Sequence, residues 1–175
     1  GNVIGGGDWS PNRLVPDCMK SWSKDERVFI RNPDSTRPWQ HVLEPLSGYL
    51  LLASRLYLNQ ELRGEAFNFG PPASQNFNVM RVVKEMSKYW DKVKWETTND
   101  RSFDESGLLK LNCDKALSKI SWEPVWNFNE TIYYTVNWYK NFYLKKNDIF
   151  QITLNQITDY TNSAISKGLS WTNAK

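Results

Sequence analysis

Gly1-Asn2-Val3-Ile4-Gly5-Gly6-Gly7-Asp8-Trp9, with Asn12-Arg13-Leu14 close behind, decides how this chain is read. Asn2-Val3-Ile4 is short, β-prone and stopped by three glycines, so a strand end opens into a loop. A second stretch, Ile30-Arg31-Asn32-Pro33 leading to Thr36-Arg37-Pro38-Trp39-Gln40-His41-Val42, has the same make-up. Each joins a glycine- or proline-shaped backbone to an arginine and an amide. Such loops suit an anionic, hydroxyl-rich ligand in a cleft.

The glycine run has neither G-x-G-x-x-G nor G-x-x-x-x-G-K-[ST], and no complete βαβ unit surrounds it. It is a tight loop that lets a ligand approach the backbone, not a dinucleotide site. Residues 12–24 place Leu14, Val15, Cys18, Met19 and Trp22 at helical spacing, with Pro16 tolerated near the start. Arg13 would then sit in the first turn, where the helix dipole opposes a cation. A phosphate contact explains that placement; a solvated surface arginine is the bland alternative. In Val28-Phe29-Ile30, alternation sends Val28 and Ile30 to one face of a strand and Phe29 to the other. Asn32-Pro33-Asp34-Ser35 is turn chemistry. Arg37 follows, and its rigid guanidinium fork matches two phosphate oxygens, with Trp39 fixing the loop by packing.

His41 and Glu44 flank a helix of about four turns whose apolar stripe is Leu46, Tyr49, Leu50, Ala53, Leu56 and Tyr57. An acid–base pair is conceivable there, but a structural histidine near a helix start is the ordinary reading. Ala66 to Gly70 reads as a strand that turns Asn68 away from its aromatic neighbours, and a polar amide there bonds to backbone or ligand. Residues 78–90 form a helix through Val79, Val82, Val83, Met86 and Trp90, and Val93 to Thr97 a strand. Leu108 to Asn112 is a further strand, and Asp114 to Ile120 a short helix. Phe128, Ile132, Val136, Tyr139 and Tyr143 give a core-facing helical stripe. A last helix carries Ile152, Gln156, Ile157, Tyr160 and Ile165, and ends at Gly168. The expected organisation is one unit over 1–168 with a frayed tail over 169–175.

At 175 residues, 40% hydrophobic and 23% charged, the chain has the composition of a globular domain with a real core. No apolar run approaches the ~20 residues that span a bilayer, and no secretory leader is present, so a soluble, cytoplasmic protein is expected. Cys18 and Cys113 are distant and lack metal-ligand spacing, and a single histidine leaves no case for zinc. A net charge of +3 fits a phosphate-bearing ligand but not a nucleic-acid footprint. Nine tryptophans serve as core and interface bulk, with sugar or base stacking as the alternative. The chain opens without methionine on what reads as the end of a strand, the expectation for a piece of something longer.

With these blocks in place, the sequence resembles the C-terminal half of the CDP-glucose 4,6-dehydratases. These are extended short-chain dehydrogenase/reductases acting on nucleotide sugars. Phe67-Asn68-Phe69-Gly70-Pro71, Leu109 to Cys113 and Trp138-Tyr139-Lys140 extend the match to nearly all of residues 1–160. The resemblance implies an α/β fold with a small mixed sheet and several helices, the N-terminal Rossmann half being absent. In the whole enzyme NAD takes hydride from sugar C4, water leaves across C5 and C6, and hydride returns to C6, giving CDP-4-keto-6-deoxyglucose. NAD and the Tyr-x-x-x-Lys pair belong to the missing half; no Tyr-x-x-x-Lys occurs here, so no catalytic, cofactor or metal residue is carried over. The substrate residues are carried one at a time. Asn2 bonds sugar or diphosphate, Arg13 and Leu14 lie near the nucleotide, and Val28 and Ile30 form the strand against which the base lies. Arg37 clamps the diphosphate, and Asn68 lies near the phosphates. Phe103-Asp104-Glu105 stands where relatives carry Pro-His-Glu, so no contact is assigned to Arg101 or Glu105.

The implied partner is CDP-glucose, with no nucleic acid or membrane, and the full-length protein is expected to be a homodimer or homotetramer. The rival readings are a standalone nucleotide-sugar or carbohydrate-binding module, and a UDP- or dTDP-sugar dehydratase or epimerase. The Gly-Gly-Gly-Asp-Trp and Arg-Pro-Trp-Gln-His blocks favour CDP.

Overall fold

The structure is a computed structural model that describes residues 2–98, 109–145 and 147–172. It is a mixed α/β chain. Strand β1 (Val3–Ile4) opens into the glycine loop, and helix α1 (Leu14–Ser23) follows. Pro16 is the third residue of α1, where its missing N–H is one the helix would leave unbonded anyway. Strand β2 is Val28–Ile30, β3 Thr36–Arg37 and β4 Gln40–His41. Then come helix α2 (Leu43–Leu58), β5 (Phe77–Asn78), helix α3 (Val79–Met86) and β6 (Trp95–Thr97). Helices α4 (Asp114–Ile120), α5 (Phe128–Leu144) and α6 (Ile149–Ser166) complete the described chain.

Among the described residues the small mixed sheet takes the form of three separate two-stranded ladders. β1 runs parallel to β4, with Val3 opposite Gln40, and β2 parallel to β6, with Val28 opposite Trp95. β3 and β5 are antiparallel, with Arg37 opposite Phe77. Parallel partners need long crossovers, so segments far apart in sequence meet at β1 and β2.

The main core lies between α1, α3 and α5. Cys18 and Met19 of α1, Val82 and Val83 of α3, and Ile132 and Val136 of α5 are fully buried. The stripes expected on α1, α3 and α5 are the ones that pack. β2 alternates as expected, with Val28 and Ile30 buried and Phe29 outside. Asn127 and Glu130 close a capping box that starts α5.

Elsewhere the expectations need correcting. α2 exists, but it buries a different face: Glu44, Pro45, Gly48 and Leu51 point inward, while Leu46, Tyr49, Leu50 and Tyr57 are exposed. The helix is apolar nearly all round, so periodicity alone offered two stripes. Gly48 and Glu44 choose between them. A Cβ on Gly48 would lie 2.4 Å from the Phe69 ring, so only glycine lets that ring seat against the helix. On α6 the inward residues are Gln156, Tyr160 and Ala164, while Ile157 and Ile165 face outward.

Ala66 to Gly70 and Leu109 to Asn112 join no ladder among the described residues. Side chains hold them instead: Gln40 Nε2 donates to Phe69 O at 2.9 Å, and Asn68 Nδ2 to Asn112 O at 3.1 Å. Residues 170–172, placed in a frayed tail, form a 3-10 turn whose Trp171 stacks with Tyr160 at 6.2 Å. The Phe103-Asp104-Glu105 departure, with Arg101, lies outside the described residues.

Candidate functional site: a cleft between the glycine loop and the second strand

A cleft of about 280 Å³ opens between β1 with its glycine loop, the start of α1, β2 and β3. That is the lower edge of the roughly 300–1,000 Å³ usual for ligand pockets. Six of the seven residues singled out from sequence line it: Asn2, Arg13, Leu14, Val28, Ile30 and Arg37. The seventh, Asn68, does not; its Nδ2 donates to the Asn112 carbonyl at 3.1 Å.

The walls differ in chemistry. Leu14 and Val15 of α1, Val28 and Ile30 of β2, and Val79 supply an apolar side. Arg13, Arg31 and Arg37 supply cations, and Asn2 and Asn12 amides. Arg37 Nη1 donates to Thr36 O at 2.8 Å, which aligns the guanidinium along its own strand. Trp39 steadies that strand as expected: the buried indole donates to Phe77 O at 2.9 Å. Arg13 is the residue before α1, not one inside its first turn. Its guanidinium reaches Val3 O at 3.3 Å and stands 3.5 Å from the Asp8 carboxylate, tying the glycine loop to β1. Tyr139 O–H donates to Asp8 O at 2.6 Å, pinning the loop to α5.

Arg31 and Asp17 also line the cleft and were not singled out. A signal was available for each. Asp17 is three residues after Leu14 on one helix face, and Arg31 directly follows Ile30. Burial raises the Asp17 carboxyl above its ordinary value, and Arg31, Lys20 and a backbone bond from Asn12 oppose that shift.

His41 and Glu44 make no acid–base pair. His41 is fully buried; its Nδ1 accepts from the Leu43 N–H at 3.3 Å and its ring meets Trp126 edge-on at 4.9 Å. Burial pushes its pKa down to about 3, so it is neutral at ordinary pH. Glu44 accepts from the backbone N–H groups of Val125 at 2.9 Å and Trp126 at 2.7 Å. Both residues hold structure. Among the described residues no group of three or more His, Cys, Asp or Glu is placed to hold a metal ion, and no helix is long and apolar enough to cross a membrane.

Comparison with known proteins supports the resemblance. CDP-glucose 4,6-dehydratase of Salmonella typhimurium is 41% identical over 164 residues, 93% of this chain and 45% of that protein. The chain is a relative of CDP-glucose 4,6-dehydratase. It spans just under half the length of that relative. No family model matches the chain. Among solved structures, the UDP-glucuronic acid 4-epimerase of Bacillus cereus, in complex with UDP-glucuronic acid and NAD, superposes with a TM-score of 0.66. The identity is 14%, covering 81% of this chain and 43% of the epimerase. The dTDP-glucose 4,6-dehydratase of Bacillus anthracis, in complex with NAD, gives 0.61 at 20% identity, covering 80% and 42%. At these identities the likeness is one of fold: this chain has the fold of part of an extended short-chain dehydrogenase/reductase.

Proposed function

We propose that this chain is the nucleotide-sugar-binding part of an NAD-dependent CDP-glucose 4,6-dehydratase, the lyase that forms CDP-4-keto-6-deoxyglucose. The observation that carries the reading is the convergence of Asn2, Arg13, Leu14, Val28, Ile30 and Arg37 on one cleft. In this reading Arg37 clamps the diphosphate with Arg13 beside it, because a guanidinium presents parallel donors to phosphate oxygens. Leu14, Val28 and Ile30 form the flat apolar wall for the base. Asn2 bonds the sugar or the diphosphate. Asn68 has a structural part, holding residues 66–70 to Asn112.

Among the described residues, the glycine loop does not fit the nicotinamide nucleotide. The glycine loop is filled from inside the protein: a Cβ on Gly6 would lie 2.1 Å from the Trp138 ring, so the glycine makes room for an indole and not for a pyrophosphate. The chain also has no Tyr-x-x-x-Lys pair. What these residues contribute is binding and orientation, which bring the reacting carbon to a defined place. On its own the chain is proposed to be inactive. The reading brings with it a cytoplasmic, self-associating enzyme that supplies deoxysugars for lipopolysaccharide O-antigen.

Calorimetric titration of the chain with CDP-glucose, UDP-glucose and dTDP-glucose tests this. CDP-glucose binding that weakens about tenfold or more in Arg37→Ala is expected, the loss of one charge-assisted contact. Equal binding of all three would overturn the CDP assignment. No binding by the folded chain would overturn the site.

A further inference from the structure

Two carboxylates line the cleft, which a site for anions does not need; Asp8 is paired with Arg13 at 3.5 Å, and Asp17 is the other. Asp17 points its carboxylate into the cleft from the first turn of α1, alongside Leu14. A second, shallower depression meets the first at a shared rim made of Asn12, Asp17, Val28, Phe29 and Arg31. This rim combines a carboxylate, a ring and a strand. Phe29 is 60% exposed there, an aromatic face with nothing over it among the described residues. Asn12 sits in the left-handed region (φ 62°), a conformation asparagine tolerates better than most residues. From that position its backbone bonds to the Asp17 carboxyl. Burial raises the Asp17 carboxyl, and Arg31, Lys20 and the Asn12 backbone oppose that rise.

A carboxylate beside a diphosphate is repulsive, so Asp17 does not belong to the phosphate end set by Arg37. A carboxylate has about four acceptor positions, so beyond the Asn12 backbone Asp17 can take a further donor. With the base lying along Val28 and Ile30, the donor that distinguishes the pyrimidines is the exocyclic amine on cytosine C4. Uracil and thymine place a carbonyl oxygen there, which a carboxylate repels. We infer that Asp17 is the specificity-determining residue of the cleft, accepting from the cytosine amino group and rejecting uridine and thymidine nucleotides. The inference rests on the nucleotide-sugar reading above and adds to it a reason for choosing cytidine.

The test uses CDP and UDP without sugar, so that glucose contacts cannot contribute, on the wild-type chain, Asp17→Asn and Asp17→Ala. Wild type is expected to prefer CDP over UDP by about tenfold or more. Asp17→Asn presents both an acceptor and a donor in the same shape, so its CDP/UDP ratio should fall towards one, with UDP binding gained as CDP binding is lost. Asp17→Ala should lose the preference without gaining UDP affinity. A ratio kept in Asp17→Asn, or a parallel loss for both ligands, would overturn the inference and leave the nucleotide site standing. Equal binding of CDP and UDP by wild type would do the same. Failure of the folded wild type to bind either ligand would overturn both the inference and the reading beneath it.

Discussion

The Tyr160 hydroxyl donates to Glu44 Oε2 at 2.8 Å in the buried interior, joining α6 to α2 across 116 residues of sequence. The same carboxylate takes the N–H groups of Val125 and Trp126, and the Tyr160 oxygen also lies 2.9 Å from Ser47 Oγ, which accepts from the Trp122 indole at 3.1 Å. One acid therefore organises α2, the segment before α5, and α6. Burial raises its pKa while the hydrogen bonds and Lys167 oppose the shift. A buried carboxyl with its acceptor sites filled is held firmly, and leaving its donors unpaired is expensive.

Tyr160→Phe is accordingly expected to cost about 1–3 kcal/mol in urea denaturation. Glu44→Gln is expected to cost more, because an amide NH₂ would face backbone N–H donors. A change under roughly 0.5 kcal/mol in both, the usual size for an exposed site, would show that the network does not hold the helices together.

His41 gives a pH dependence with a defined sign. Its pKa is about 3 when folded, against an ordinary 6.5, so between these values the unfolded chain binds the extra proton. Its contribution to stability is complete above about pH 6.5 and is lost as pH falls towards 3. At ~1.4 kcal/mol per unit the loss is on the order of 5 kcal/mol. Glu44, whose pKa is raised, works in the opposite sense above the ordinary carboxylate range, so the comparison must be with His41→Asn, which keeps an acceptor for the Leu43 N–H. The difference between the two stability curves should slope upward with pH between about 3 and 6.5. A flat difference would contradict the buried, neutral imidazole.

Gly6→Ala tests the close approach of the glycine loop to α5. The Trp138 ring it would strike is stacked on Phe142 at 5.6 Å and donates to Thr153 Oγ1 at 2.9 Å, so it has little freedom to move. A loss of about 1–3 kcal/mol is expected from overpacking. In a Trp138→Ala background the same change should cost far less, a coupling that a double-mutant cycle measures. Additive losses would mean that the loop does not rest on Trp138.

The choice of face on α2 is tested by adjacent leucines. Leu51→Ala removes a buried side chain and should cost about 2–5 kcal/mol, while Leu50→Ala, at a position 74% exposed, should stay within about 0.5 kcal/mol. The reverse order would restore the stripe read from periodicity.

These cases show where sequence suffices. β2 was legible because Val28-Phe29-Ile30 alternates, and α5 because its stripe repeats over four turns. The cleft was legible because glycine, proline and arginine are unusual together and each has a stated local use. α2 was ambiguous because apolar residues surround it, and the residue that settles its orientation, Glu44, finds its partners more than 80 residues away. β3, β4 and β5 are two residues each, too short to show any alternation. Phe67-Asn68-Phe69 has a strand's pattern yet is held by side chains of Gln40 and Asn68, which no period reveals. Asp17 and Arg31 escaped although their places beside Leu14 and Ile30 were a signal, because a charged residue at a cleft rim otherwise looks like one on open surface.

The most direct test of the central claim is amide hydrogen exchange of the chain with and without CDP-glucose. Slowed exchange is expected at β1 and the glycine loop, the first turn of α1, β2 and β3, with no change along residues 66–70. Protection confined to other segments, such as α5 and α6, would place the ligand elsewhere and contradict the cleft between β1 and β2 as the nucleotide-sugar site.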